Sequence, residues 1–212
     1  MNQRLLLWTA AVAAALMALG LLGLDYPLAH WIHASGWANA APFDAGLYAM
    51  DVVLGLHVWY WLAACVVAAA GLVGIALGSR LPLPPRLAPT LLVAALVQAA
   101  TIGLMMLGKG TFGRLRPSQL FESGAWEQAW FVGGGSFPSG HCAFYFGLFV
   151  PLAAAAPRPW QRAALLAIPA FVFVARLNLE KHFLADVSAS ALLAALLALL
   201  ASVLARRWLP SR

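Results

Sequence analysis

The sequence predicts an all-α integral membrane protein of six transmembrane helices with both termini in the cytoplasm. Three observations predict it. First, the 212 residues are 63% hydrophobic and only 9% charged, against roughly 25% charged in a soluble domain. Second, several apolar runs reach the roughly 20 residues that cross a bilayer. Third, the charges segregate once six spans are drawn. Arg4, Arg80, Arg86, Arg158, Arg162, Arg206, Arg207 and Arg212 fall on one side, which the positive-inside rule makes cytoplasmic. Lys109, Arg114, Arg116, Arg176 and Lys181 fall on the other, with every acidic residue: Asp25, Asp44, Asp51, Glu122, Glu127, Glu180 and Asp186.

The predicted helices cover 5–24, 52–78, 87–108, 139–156, 160–178 and 184–205. The first is a retained helix. Its run is too long for a signal peptide, and Ala38-Asn39-Ala40 lies too far downstream to be its cleavage site. The second carries Gly74 and Gly78, with Gly71 one turn earlier, a small-residue spacing that suits helix packing. The fourth and fifth are slightly short and contain Pro151 and Pro169, which membrane helices tolerate when neighbours satisfy the freed carbonyls. Trp59, Tyr60, Trp61, Trp126 and Trp130 fall near the outer side, where interfacial aromatics belong. The whole chain, 1–212, reads as one domain. Its net charge of +6 is spread between hydrophobic runs with no basic stripe, which argues against nucleic acid. Cys65 and Cys142 lack metal-ligand spacing and read as small buried residues. His30 and His33, three apart in a short loop, read as interface residues rather than metal ligands.

Three fragments hold most of the chemistry, and six spans bring all of them to the outer ends of helices. They are Lys109-(x6)-Arg116-Pro117, Pro138-Ser139-Gly140-His141 and Arg176-(x5)-His182-(x3)-Asp186. At spacing four, His182 and Asp186 share a helix face. Asp186 is then placed to accept the Nδ1 proton of His182 and leave Nε2 as a nucleophile toward phosphorus. Gly133-Gly134-Gly135 forms a pliable approach to the second fragment, which opens a helix whose N-terminus favours a phosphate. Ser139 adds a hydroxyl, Gly140 permits close backbone approach, and His141 is placed to protonate a leaving alkoxide. Lys109, Arg116 (held extended by Pro117) and Arg176 supply fixed positive charge for a phosphoryl transition state. Arg114 and Lys181 read instead as snorkelling cations at helix ends.

These fragments, in order, internal spacing and intervals, resemble the three-part signature of the type 2 phosphatidic acid phosphatase superfamily, which includes membrane lipid phosphatases and vanadium haloperoxidases. The motifs lie within 109–186. The resemblance implies His182 as nucleophile, Asp186 as its orienting partner and His141 as acid. It implies Lys109, Arg116, Ser139, Gly140 and Arg176 as the phosphate-binding set, with no metal and no other cofactor. One position departs: the family usually has serine where this chain has Ala175, which removes one hydrogen bond worth typically about 1 kcal/mol.

The expected activity is hydrolysis of a lipid phosphate or pyrophosphate, with candidates among phosphatidylglycerol phosphate, phosphatidic acid, undecaprenyl pyrophosphate and phosphorylated lipid A. The Ala- and Leu-rich composition and small loops point to a bacterial inner membrane with a periplasm-facing site. Two alternatives differ in class: a lipid phosphotransferase that passes the phosphohistidine to a second lipid, and a non-enzymatic transporter or scaffold with a relic site. Polar residues within the spans would favour the latter, and His57 and Gln98 are the main ones. The 118–137 loop, with Phe121, Glu122, Trp126, Glu127 and Trp130, is open to two readings, head-group selection or an interfacial cap. The first outer loop, with His30, Trp31, His33 and Trp37, poses the same choice.

Overall fold

The first helix runs further than its apolar pattern predicts. In the computed structural model, which describes residues 1–80 and 84–208, α1 (Gln3–Leu19) starts at Asn2, whose side chain accepts the Leu5 N–H at 3.1 Å. It continues through a π turn (Gly20–Leu24) into α2 (Asp25–Ala34). Gly23 takes a φ of 144°, open to glycine alone, and bends the rod there. The bend turns Asp25 inward, so this acid is buried rather than set at an aqueous surface.

The helix predicted over 52–78 is two helices, α3 (Ala41–Val53) and α4 (Leu62–Leu77). They are separated by a turn in which Gly55 has a φ of 73° and Leu56 N–H returns to the Asp51 carbonyl at 2.9 Å. His57 therefore sits exposed in a turn and not within a span. α5 (Leu87–Phe112) ends on Gly113 in the left-handed conformation. The short α6 (Pro117–Ser123) follows, then α7 (Gly140–Ala155), α8 (Pro159–Asn178) and α9 (Leu184–Trp208). The described residues contain no strand.

Four stretches are long and apolar enough to cross a membrane: Gln3–Ala34, Leu87–Ser123, Pro159–Asn178 and Leu184–Leu204. α4 and α7 are shorter apolar helices. The fourth predicted helix is thus short, as its length predicts, whereas the fifth is full length despite Pro169 and the second is short instead. Arg212 of the predicted inner charge belt lies outside the described residues, as do the side chains of Arg206 and Arg207.

α7 forms the centre. It is apolar and buried nearly all round, as an interior helix must be, and packs on α5, α8 and α9. α1 lies along α9, and α4 along α5. Gly71 and Gly74 set the second contact, because a Cβ at either would stand 2.8 Å from Leu92 or Ala88 of α5. Gly78 does not share this role: it ends the helix and meets nothing within 4 Å. Trp8, Leu22, Leu72, Leu96 and Leu107 face outward, an apolar surface too extensive for water but suited to lipid. Gln98, inside α5, is fully buried and donates to the Phe144 carbonyl at 3.2 Å, so this polar residue is a helix-packing contact.

Candidate active site

The C-terminal ends of α3, α5 and α8 and the N-terminal ends of α7 and α9 meet at one end of the bundle, where all three motifs converge. His182 lies in the loop just before α9, and Asp186 lies in the first turn of that helix. They are therefore not stacked on one helix face, as their spacing predicts. Asp186 instead closes the helix start by accepting the Phe183 N–H at 2.8 Å. Its carboxylate also accepts the Ser136 hydroxyl at 2.5 Å and Arg114 Nη1 at 2.6 Å. The His182 Nδ1 proton goes to the Ser136 carbonyl at 2.8 Å, with the Asp186 carboxylate 3.7 Å away. Asp186 thus reaches the imidazole mainly through Ser136. Nε2 is left as the free nitrogen. Burial pushes the His182 imidazole down to about 3, and the charges of Arg176 and Lys109 add to that lowering against the raising effect of Asp186. The ring is neutral at physiological pH.

Arg114 is not a snorkelling cation. Its side chain is 2% exposed and bridges two acids, Asp186 at 2.6 Å and Asp25 at 2.7 Å. The rings of Trp130 and Phe183 cover the guanidinium at 4.4 and 4.0 Å from their centroids. Asp25 in turn accepts the Ala185 N–H at 2.9 Å. One arginine thereby ties the bend of the first helix to the start of the last, directly beneath the His182 loop.

The 129–136 segment returns along 112–115. Leu115 N–H donates to Ala129, Gly134 N–H to Gly113 and Ser136 N–H to Arg114, each at 2.8 Å. Gly134 has to be glycine here, because a Cβ would overlap the Arg114 carbonyl. This pairing delivers Ser136 to His182. Ser139 then caps α7, is fully buried, donates its N–H to the Asp186 carbonyl at 3.0 Å, and accepts the Ser190 hydroxyl at 2.8 Å. The next residue, Gly140, is pressed by the Tyr60 hydroxyl, which a Cβ would overlap. Burial pushes the Tyr60 phenol up to about 12, so it remains a neutral hydroxyl.

Lys109 closes the last turns of α5 and donates to the Gly135 carbonyl. Arg116 is extended before Pro117, with φ −83° and ψ 156°, and Arg176 ends α8, largely buried. These three cations lie within electrostatic range of one another. Arg176 and Lys109 also act on both His182 and His141. His141, on the first turn of α7, points Nε2 at the Asp51 carboxylate at 3.0 Å, and the other oxygen of Asp51 accepts the Tyr145 hydroxyl at 2.7 Å. Asp51, His141 and Arg176 line a cleft of about 510 Å³, whose outer wall includes Asp44, Tyr48, His57 and Lys181. Ala175 is fully buried in α8.

The 118–137 loop packs as a cap on the first helix. Phe121, Trp126 and Trp130 gather with Tyr26 around Leu120, Ala129 and Phe183. His30 lies against Trp126, and His33 stacks on Phe121 while pairing with Glu180 at 2.7 Å. Glu122 and Glu127 stay exposed. Among the described residues, no three His, Cys, Asp or Glu side chains cluster as a metal site would require.

Four side chains at the site carry no motif signal: Asp25, Asp51, Tyr60 and Ser136. Asp25 had a weak one, an acid placed directly against a long apolar run, which inside a membrane marks a partnered group. The profile of the PAP2 superfamily matches residues 88–209, more than half of the chain and all three motifs. No curated protein and no solved structure shows a significant match. The motifs, their convergence at one end of an all-helical bundle, and this match agree: the chain belongs to the PAP2 superfamily.

Proposed function

We propose that the protein is a membrane phosphatase that hydrolyses a lipid phosphate or pyrophosphate monoester through a phosphohistidine at His182. Family membership supports the coarser part, phosphatase action on phosphate esters. The observation that carries the finer part is that His182 and His141 both lie within the electrostatic influence of the same two cations, Arg176 and Lys109, at the end of the bundle where the motifs converge. A phosphate held by those cations meets a neutral nucleophile and an acid together.

In the proposed reaction Lys109, Arg116 and Arg176 bind the phosphate oxygens, helped by the free N–H groups at the start of α7, at Gly140. His182 Nε2 attacks phosphorus as the ester P–O bond breaks, and His141 gives its proton to the leaving alkoxide. Water then attacks the phosphohistidine and passes a proton to His141, and the P–N bond breaks to release inorganic phosphate. Three fixed cations offset the charge on the equatorial oxygens, so the proposed chemistry uses no metal.

We place the reaction at the outer membrane boundary. In this reading α4 and α7 complete six spans with the four long stretches, both termini are cytoplasmic, and the site faces the periplasm of a bacterial inner membrane. At 16 residues each they reach about 24 Å at 1.5 Å per residue, less than the roughly 30 Å of a bilayer core. For α7 the shortfall is harmless because protein surrounds it. One domain, 1–212, carries the whole reaction.

The test is phosphate release by the purified chain from single lipids (phosphatidic acid, phosphatidylglycerol phosphate, undecaprenyl pyrophosphate) with EDTA present, beside His182→Ala. Release by the parent and none by the variant is expected, with vanadate inhibiting. Parental release by His182→Ala overturns the mechanism, and abolition by EDTA overturns its metal independence. Label transfer to a second lipid without free phosphate identifies a phosphotransferase instead.

A further inference from the structure

Asp51 belongs to no motif, yet its carboxylate is hydrogen-bonded to His141 Nε2 at 3.0 Å. It sits in the last turn of α3, where a carboxylate meets the negative end of the helix dipole. Helix stability alone disfavours an acid there. The acid is also almost fully buried, which requires partners for both of its oxygens. It has them: His141 Nε2 at 3.0 Å on one and the Tyr145 hydroxyl at 2.7 Å on the other. His141 and Tyr145 are four residues apart on α7, so one turn of the central helix presents both partners to one carboxylate. Tyr145 is fully buried and fixes the carboxylate through the oxygen that His141 does not use. The His141 side chain remains 24% exposed and lines the cleft with Arg176.

We propose that Asp51 is a positioning residue for His141, setting its tautomer and holding its proton-donating form. This rests on the phosphohistidine reading above and adds a residue from outside the family signature to it. With Asp51 accepting from Nε2–H, Nδ1 is the nitrogen that serves the reaction. In the first step the P–Nε2 bond to His182 forms, the P–O bond breaks, and the leaving oxygen takes the proton from His141 Nδ1. His141 is then neutral, its remaining proton still on Nε2 toward Asp51. In the second step Nδ1 takes a proton from the attacking water as the P–N bond breaks, which restores the starting state. Asp51 exchanges no proton with the substrate in either step and touches neither substrate nor phosphorus. The molecule thus has two Asp–His pairs of opposite purpose: one on the nucleophile, one on the acid.

A positioning role for an acid has a signature that a structural role lacks. A poor leaving group, an alkoxide, needs the proton, whereas p-nitrophenolate leaves without it. The experiment compares kcat/KM for dodecyl phosphate and p-nitrophenyl phosphate in the full-length protein in detergent, for the parent, His141→Ala, Asp51→Asn and Asp51→Glu. General acids contribute roughly 10²–10⁴-fold. Asp51→Asn is expected to lose about 10–10²-fold on dodecyl phosphate and less than about threefold on p-nitrophenyl phosphate. Asp51→Glu, which keeps the charge, is expected to hold the ratio of the two substrates near the parent's. That ratio does not depend on the folded fraction of a preparation, so a destabilised variant still reports. Equal losses on both substrates, no loss on either, or the same split in Asp51→Glu as in Asp51→Asn would overturn the proposal. If His141→Ala itself shows no split, the assignment of His141 as the acid fails, and this inference fails with it. A split in His141→Ala without one in Asp51→Asn overturns the Asp51 role alone.

Discussion

The two histidines of the site stand in opposite surroundings. His182 is buried in a closed ionic network with Ser136, Asp186, Arg114 and Asp25. His141 borders an open cleft and touches one carboxylate, itself fixed by one tyrosine. The difference matches the two tasks proposed for them. A nucleophile has to be neutral and aimed, which burial and a carbonyl acceptor on Nδ1 achieve. An acid has to gain and lose a proton within reach of water, which an open edge and a neighbouring hydrogen-bonded carboxyl group permit. The network under His182 is the more deeply buried, and its disruption is expected to carry the larger penalties.

Removal of His182 gives the largest expected effect. His182→Ala should lower kcat/KM for a lipid phosphate by at least ~10⁴-fold, measured as phosphate release, while the protein remains folded. Next is Arg114. Arg114→Met leaves Asp25 and Asp186 buried without their cation, and removing one partner of a buried ion pair costs about 3–5 kcal/mol. Thermal denaturation in detergent should therefore show a large drop, with activity lost alongside. A variant as stable as the parent would mean the two acids find other partners, and the contrast between the histidines would weaken. Asp25→Asn keeps a hydrogen-bonding oxygen and should cost less than Arg114→Met in the same measurement.

The third effect is pH dependence. His182 has an ordinary value of 6.5 and is lowered by burial to about 3 in the folded protein. Between those values the unfolded chain binds a proton that the folded chain refuses, so stability from this group is complete above about 6.5 and falls as pH drops toward 3. The denaturation midpoint should fall from pH 7 to pH 5, and His182→Gln should flatten that fall. Labelling of His182 by a phosphoryl donor should persist at pH 5, because the ring is still neutral there. The smallest effect is at Ala175. Ala175→Ser, which restores the family's usual residue, should tighten vanadate inhibition by at most about fivefold, the equivalent of one hydrogen bond near 1 kcal/mol.

Much of the site is legible in the sequence because its chemistry-bearing residues sit in short fragments at helix ends. Lys109, Arg116, Ser139, Gly140, His141, Arg176, His182 and Asp186 all lie together at one end of the bundle. What is not legible is which side chains pair across the chain. Arg114 bonds partners 72 and 89 positions away, and no local period distinguishes a buried bridge from a snorkelling arginine. Asp51 is hidden because the apolar pattern predicts a helix unbroken from 52 to 78, which places it outside the first turn; the break at Gly55 that separates α3 from α4 leaves no periodic trace. His182 and Asp186 depart from the arrangement their i,i+4 spacing predicts for a related reason. α9 begins two residues later than that pairing requires, because Asp186 is used to start the helix.

The most direct test of the central claim is to find the phosphate on the protein. The full-length chain is mixed with a ³²P-labelled lipid phosphate, quenched in alkaline detergent and mapped by peptide mass spectrometry. The expected result is one acid-labile phosphoryl group on His182, absent in His182→Ala and accumulating when His141 is replaced by alanine and an activated aryl phosphate is the donor. Label on another residue, or turnover by His182→Ala at the parental rate, would contradict it.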